Sequence, residues 1–156
     1  MKASGERAHM SPSYTRKAGG MPYILIIDDD TNSKKLLSAN LEKRGHYTMA
    51  VSRLANAVLE EMEENPDLIL VSVNLPYRQG EADIERLRSL PGMALTPILV
   101  LSADRPDRAW MARWGVESYL LKPFDIRRLL DWLQPWLQAV PPGERPIPQT
   151  GVDSRV

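Results

Sequence analysis

The chain has no cysteine, which excludes disulfides and thiolate metal sites and fits a reducing compartment. It also lacks a net charge. Twenty basic and twenty acidic residues cancel, so no global field draws the protein to nucleic acid or to an anionic membrane surface. No apolar run approaches the roughly 20 residues of a membrane span, and residues 1–20 hold no apolar stretch of the signal-peptide kind. The expectation is a soluble, cytoplasmic protein. What is present suffices for a core: 156 residues with 43% hydrophobic content suit one compact domain with polar ends.

Residues 1–20 mix Lys2, Arg7, Arg16 and Lys17 with Gly, Ser and Pro and show no periodicity, so they read as a flexible, mildly basic arm. Tyr23-Ile24-Leu25-Ile26-Ile27 is apolar throughout, as a strand covered on both faces should be. Asp28, Asp29 and Asp30 follow it, then Thr31, Asn32 and Ser33 as N-cap candidates and a helical stripe through Leu36, Leu37 and Leu41 that Gly45 stops. The same alternation repeats four times. Residues 46–51, 67–73, 96–101 and 118–121 read as strands. Helices follow each, with stripes on Leu54, Val58 and Met62, on Ile84, Leu87 and Leu90, from Pro106 to Trp114, and on Ile126, Leu129, Leu133 and Leu137. Glu60, Glu61, Glu63 and Glu64 read as a solvated face. Pro135 should kink or split the last helix by removing a backbone hydrogen bond. Residues 140–156, rich in Pro, Gly and Ser, read as a disordered tail or linker after a domain over 21–139.

Five strands alternating with five helices make a parallel α/β sheet, because parallel neighbours need right-handed crossovers. Ligands of such sheets bind at the carboxyl ends of the strands. There the sequence places Asp28, Asp29 and Asp30, then Ser72, Ser102 and Lys122. Adjacent carboxylates at a shielded site repel by an amount of order several kcal/mol, which a Mg²⁺ ion between them relieves. Alternatively, one or two of the aspartates simply cap the first helix, where a negative charge is favourable by up to about 1 kcal/mol.

The ordered set Ile24-Leu25-Ile26-Ile27-Asp28-Asp29-Asp30, Pro76 four residues past Ser72 with Gly80 beyond, Leu101-Ser102-Ala103, and Tyr119-Leu120-Leu121-Lys122-Pro123-Phe124 resembles the receiver domain of two-component response regulators. The resemblance spans roughly residues 21–139. It implies a (βα)5 flavodoxin-like, doubly wound parallel sheet of five strands in the order 2-1-3-4-5. It further implies Mg²⁺ on Asp28, Asp29 and the backbone carbonyl of Asn74, a phosphoryl contact from Ser102 and a pairing from Lys122. Pro123 would follow a cis bond, and Tyr119 matches the aromatic whose rotation accompanies activation.

The departure is Ser72, which stands where receivers accept phosphate on an aspartate. A serine hydroxyl is a weak nucleophile without a base, so phosphotransfer from a histidine kinase should fail. Mg²⁺ prefers several oxygen ligands in octahedral geometry and here lacks one carboxylate, so its binding should be weak or absent. Lys122, without its resting partner, is expected to turn toward Asp28 or Asp29. Three readings follow: a degenerate receiver acting by protein contacts without phosphorylation, a domain switched by a small ligand or by phosphorylation of Ser72, and a substitution in an otherwise ordinary receiver.

Trp110 with Trp114, and Trp132 with Trp136, lie four apart on the last two helices. Trp114 and Trp136 suit the core. Trp110 and Trp132 fall to the side of the stripes, and with Tyr119 they are expected to mark a contact surface on helix 4, strand 5 and helix 5, the face this family commonly uses for partners and dimers. Arg105, Arg108, Arg113, Arg127 and Arg128 on the same helices either steer an acidic partner or are merely solvated. A protein partner or homodimer is expected, with neither nucleic acid nor membrane. The enzymatic alternative, a Mg²⁺-dependent phosphohydrolase with Asp28 or Asp29 as nucleophile, fits the same fold but has no cap domain or evident substrate pocket.

Overall fold

A computed structural model describes residues 9–10, 22–62, 64–74 and 78–137. The strands are β1 (His9–Met10), β2 (Tyr23–Ile27), β3 (Tyr47–Val51), β4 (Leu68–Val73), β5 (Ile98–Ser102) and β6 (Val116–Leu121). The helices are α1 (Thr31–Lys43), α2 (Asn56–Glu61), α3 (Arg78–Ser89), α4 (Arg108–Trp114) and α5 (Ile126–Leu137). β2 to β6 form a parallel sheet in the order β3-β2-β4-β5-β6. Counted among those five strands this is 2-1-3-4-5, the doubly wound arrangement.

Both faces of the sheet are covered, which is why its strands are apolar at nearly every position. Leu25, Ile27, Ile69, Val71, Val73, Val100 and Tyr119 pack under α2, α3 and α4 with Val58, Ile84, Leu87 and Met111. Ile24, Ile26, Leu68, Leu70, Leu99, Leu101 and Leu120 pack under α1 and α5 with Leu37, Leu41, Leu129, Trp132 and Leu133. Successive residues of a strand point to opposite faces, so each strand contributes alternately to the two layers. Gly80 marks the closest approach of α3 to the sheet: a Cβ there would run into Val73 Cγ1. Arg88 near the end of α3 gathers the carbonyls of Met93, Ala94, Thr96 and Gly115.

Four sequence expectations change. Residues 1–20 are not structureless throughout, because His9–Met10 pairs antiparallel with Ala50 and Met49 on the outer edge of β3, whose backbone groups would otherwise lack a partner; the rest of the arm lies outside the described residues. The cap of α1 is Asp30, whose carboxylate accepts from Asn32 N at 3.0 Å, and not Thr31, Asn32 or Ser33. The second helix begins at Asn56, with no side-chain cap on Ala55. Pro135 sits inside α5 without splitting it; the carbonyl it leaves unbonded belongs to Asp131, an exposed residue that water can serve. The expected tail over 140–156 lies outside the described residues. Among those described, no helix is long and apolar enough to cross a membrane.

Candidate functional site

Asp28 follows β2, Ser72 lies one residue from the end of β4, and Lys122 follows β6. All three have the parity of the α1–α5 layer, since Ile26, Leu70 and Leu120, two residues before each, belong to it. Adjacent strands β2 and β4 therefore present Asp28 and Ser72 side by side, and Lys122 reaches across β5. Its Nζ donates to Ser72 Oγ at 2.5 Å. The expectation that Lys122 would turn onto an aspartate is corrected: its ammonium group is taken by the Ser72 hydroxyl, which β4 holds beside Asp28. Its charge still acts on Asp28, where it favours the ionised form.

The three aspartates have separated into three roles. Asp28 is buried at 2% exposure, and its Oδ1 accepts the backbone N–H of Asp30 at 2.9 Å. Its Oδ2 is buried with no hydrogen-bond partner. Burial is the largest influence on Asp28 and pushes its carboxyl above the usual carboxylate range, against the Asp30 N–H bond and the Lys122 charge, which lower it. Asp29 is exposed, and Asp30 caps α1 and holds Ser33 Oγ at 3.2 Å. The capping alternative thus accounts for Asp30, and leaves Asp28 as the buried acid of the crevice.

Ser102 is fully buried, but its hydroxyl is engaged locally, donating to Asp104 O at 2.7 Å and accepting from Asp104 N at 3.1 Å. Strand alternation assigns it to the face opposite Ser72. The backbone N–H of Lys122 donates to Ser102 O at 2.8 Å, tying the ends of β5 and β6 together. The Lys122–Pro123 bond is cis, as the resemblance implied. Asn74 is exposed, and residues 75–77 lie outside the described residues, Pro76 among them.

These donors do not fit a resident Mg²⁺. A hard cation needs a near-octahedral set of oxygens. Asp28 Oδ2 alone is buried and free to join one, while Asp29 points to solvent-exposed surroundings and the third carboxylate is replaced by a hydroxyl already bonded to an ammonium group. Among the described residues no group of three His, Cys, Asp or Glu could hold a metal ion.

The expected interface residues are corrected as well. Trp132 is only 7% exposed and sits in the α1–α5 layer, with its Nε1 donating to Ser118 Oγ at 3.1 Å across to β6. Tyr119 is buried under α4. Trp110 is half-buried, and its Nε1 donates to Glu81 Oε2 at 2.7 Å, joining α4 to α3. Tyr119 and Trp132 are spent inside the fold, and of the three only Trp110 keeps part of its surface open. Trp136 is half-buried against the α1–α5 layer, and Trp114 half-buried against the other with Arg113 5.1 Å above its ring. Arg88 is the residue whose role sequence reasoning missed; a lone arginine on a helix carries no signal of the four carbonyls it collects.

Comparison with known proteins defines the class. Residues 24–134 match the response regulator receiver domain family, and the chain belongs to it. It is 32% identical over 112 residues to the protein PilH of Pseudomonas aeruginosa, covering 70% of this chain and 93% of that one. It is 37% identical over 113 residues to the DNA-binding dual master transcriptional regulator RpaA of Synechocystis, of which it spans 46%. Among solved structures it is similar to the chemotaxis response regulator CheY4 of Vibrio cholerae, at 25% identity and a TM-score of 0.66 over 75% of this chain and 99% of that one. It is also similar to the receiver domain of a sensor histidine kinase from Pseudomonas aeruginosa PAO1, solved with magnesium in its active-site cleft, at 27% identity and a TM-score of 0.61 over 74% and 97%. The protein is a receiver domain of two-component signal transduction.

Proposed function

We propose that this receiver domain signals through protein contacts without phosphoryl transfer, as a binding module rather than an enzyme. The observation that carries this reading is the 2.5 Å bond from Lys122 Nζ to Ser72 Oγ. The ammonium group engages one of the two lone pairs of the hydroxyl oxygen and lowers the nucleophilicity of the other, and among the described residues no base is bonded to the hydroxyl to take its proton. Asp28 does not serve, because its Oδ1 holds the Asp30 N–H and the described geometry contains no bond from Oδ2 to Ser72. The chemistry left to the crevice is structural: it ties the ends of β4 and β6 together through Lys122 and Ser72. Partner contacts on this reading run over the α4–β6–α5 face through exposed side chains such as Arg105, Arg108, Arg113 and Arg127, with the tryptophans as its internal support. An acidic protein surface is the matching partner.

The test is incubation with acetyl phosphate, and separately beryllofluoride, in the presence of Mg²⁺, read by intact mass and by ¹⁵N NMR at Ser72, Ser102 and Tyr119. Neither a mass increment of one phosphoryl group nor a saturable shift is expected. Ser72→Asp, which restores the acidic acceptor, should gain both. A stoichiometric phosphoryl group on the unaltered protein would sink the proposal.

A further inference from the structure

Asp28, Ser72 and Lys122 stand at the carboxyl ends of parallel strands, so the residues that lead into β5 and β6 lie at the opposite end of the sheet. At that end, between α3 and α4, is a cavity of about 350 Å³ lined by Glu85, Arg88, Ala112, Arg113, Trp114 and Gly115. Its size suits a small organic molecule. Two arginines and one glutamate leave the lining with an excess positive charge. Arg88 supplies the donors. Of the five N–H groups of its guanidinium, the two on Nη1 are shared by the carbonyls of Met93, Ala94 and Thr96, and one on Nη2 goes to Gly115 O. Nε–H and the second Nη2 hydrogen have no acceptor among the described residues, and Nε is not sealed in the interior. Two such donors on one guanidinium match the two oxygens of a carboxylate. Burial works against the Arg88 charge and Glu117 offsets that only in part. Arg113 lies 5.1 Å above the Trp114 ring, which holds a second cation beside an aromatic wall.

We propose that this cavity binds a small organic monoacid with a planar apolar body, its carboxylate on Arg88 and Arg113 and its body against Trp114 and Ala112. The exposed Glu85 in the lining repels a second negative charge, which selects a monoacid over a diacid. A ligand seated there bridges α3 and α4, the two helices that Trp110 and Glu81 already join. The site is separate from Ser72, so its failure would leave the reading of the crevice untouched.

The experiment titrates the full chain with benzoate at constant pH and ionic strength and follows the Trp114 indole and Gly115 amide signals by ¹⁵N NMR. Both are expected to shift and to saturate with a dissociation constant of about 10 mM or lower. Benzamide, the neutral isostere, should bind at least about tenfold more weakly. Two substitutions at exposed positions leave the core intact. Arg113→Gln should weaken benzoate at least about threefold, and Ala112→Phe, which fills the cavity, should abolish the shifts. The proposal is overturned if the benzoate shifts do not saturate, if benzamide binds as tightly, or if either substitution leaves benzoate binding unchanged.

Discussion

Replacing Arg88 with methionine isolates the contribution of the joint between α3, the loop before β5 and the start of β6. Arg88 Nη1 lies 2.7 Å from Thr96 O and 3.1 Å from both Met93 O and Ala94 O, and Nη2 lies 2.6 Å from Gly115 O. Nη1 has two hydrogens for three carbonyls, so the two short bonds and one shared bond carry the joint. Charge-assisted bonds of this type contribute about 1.5–3 kcal/mol each, and a buried acceptor left without a partner costs about 1–3 kcal/mol. Met93 and Thr96 are buried, whereas Ala94 and Gly115 are exposed and regain water. Against the loss stands the burial of the guanidinium, which is unfavourable enough to push its pKa down despite Glu117 nearby. The net expectation is a loss of about 2–3 kcal/mol, or a melting temperature lower by about 5–10 °C. Urea denaturation should show a lower midpoint with an unchanged slope. Arg88→Lys should recover only part of it, since one ammonium cannot reach Thr96 and Gly115 together. A loss below about 1 kcal/mol for methionine would refute the assignment of Arg88 as this joint.

Trp132→Ala should cost about 3–5 kcal/mol, as for other large buried aromatics, because the ring lies in the α1–α5 layer; a change within about 0.5 kcal/mol in denaturant melts would return Trp132 to the surface. Gly80→Ala should destabilise by about 1–3 kcal/mol through overpacking against Val73, with circular dichroism melts as the measure. His46 is buried, its Nδ1 has no partner, and burial, helped by the Arg44 charge, lowers its pKa below the ordinary 6.5. In the window below that value the unfolded chain binds more protons than the folded one, so its contribution is intact above about pH 6.5 and is lost as pH falls toward the folded value. Denaturation at about pH 7.5 and about pH 5.5 should show this decline, and His46→Gln should flatten it. The buried Asp83, pushed up chiefly by burial, acts with the opposite sign: stability falls as pH rises through the range just above its ordinary 3.8.

Most of the fold is written in local pattern. Ile24 to Ile27, Leu68 to Val71 and Ile98 to Leu101 are uninterrupted apolar runs, and only strands buried on both sides have that character. The stops are equally local: Gly115 adopts the left-handed conformation that ends α4, with φ 67°. Asp28, Ser72 and Lys122 could be assembled on paper because strand parity and parallel order are properties of the chain and the sheet. Where pattern failed, side chains chose between neighbours that the chain brings together only in three dimensions. Thr31, Asn32 and Ser33 were the expected caps of α1, with the aspartates only an alternative to a metal site, and the turn that carries Asp28 into the crevice decided for Asp30.

Periodicity, then, determined the alternation of strands and helices, the two apolar layers and the strand-end position of Asp28, Ser72, Ser102 and Lys122. Tertiary structure decided which partner each of these takes, that Lys122 reaches Ser72, that Ser102 turns to Asp104, and that Trp132 points inward. It also decided that His9 and Met10 pair with the outer edge of β3. The division has a physical cause. Periodicity follows from backbone geometry, which repeats along the chain, whereas the partner of a long side chain depends on distances between elements that no local spacing encodes.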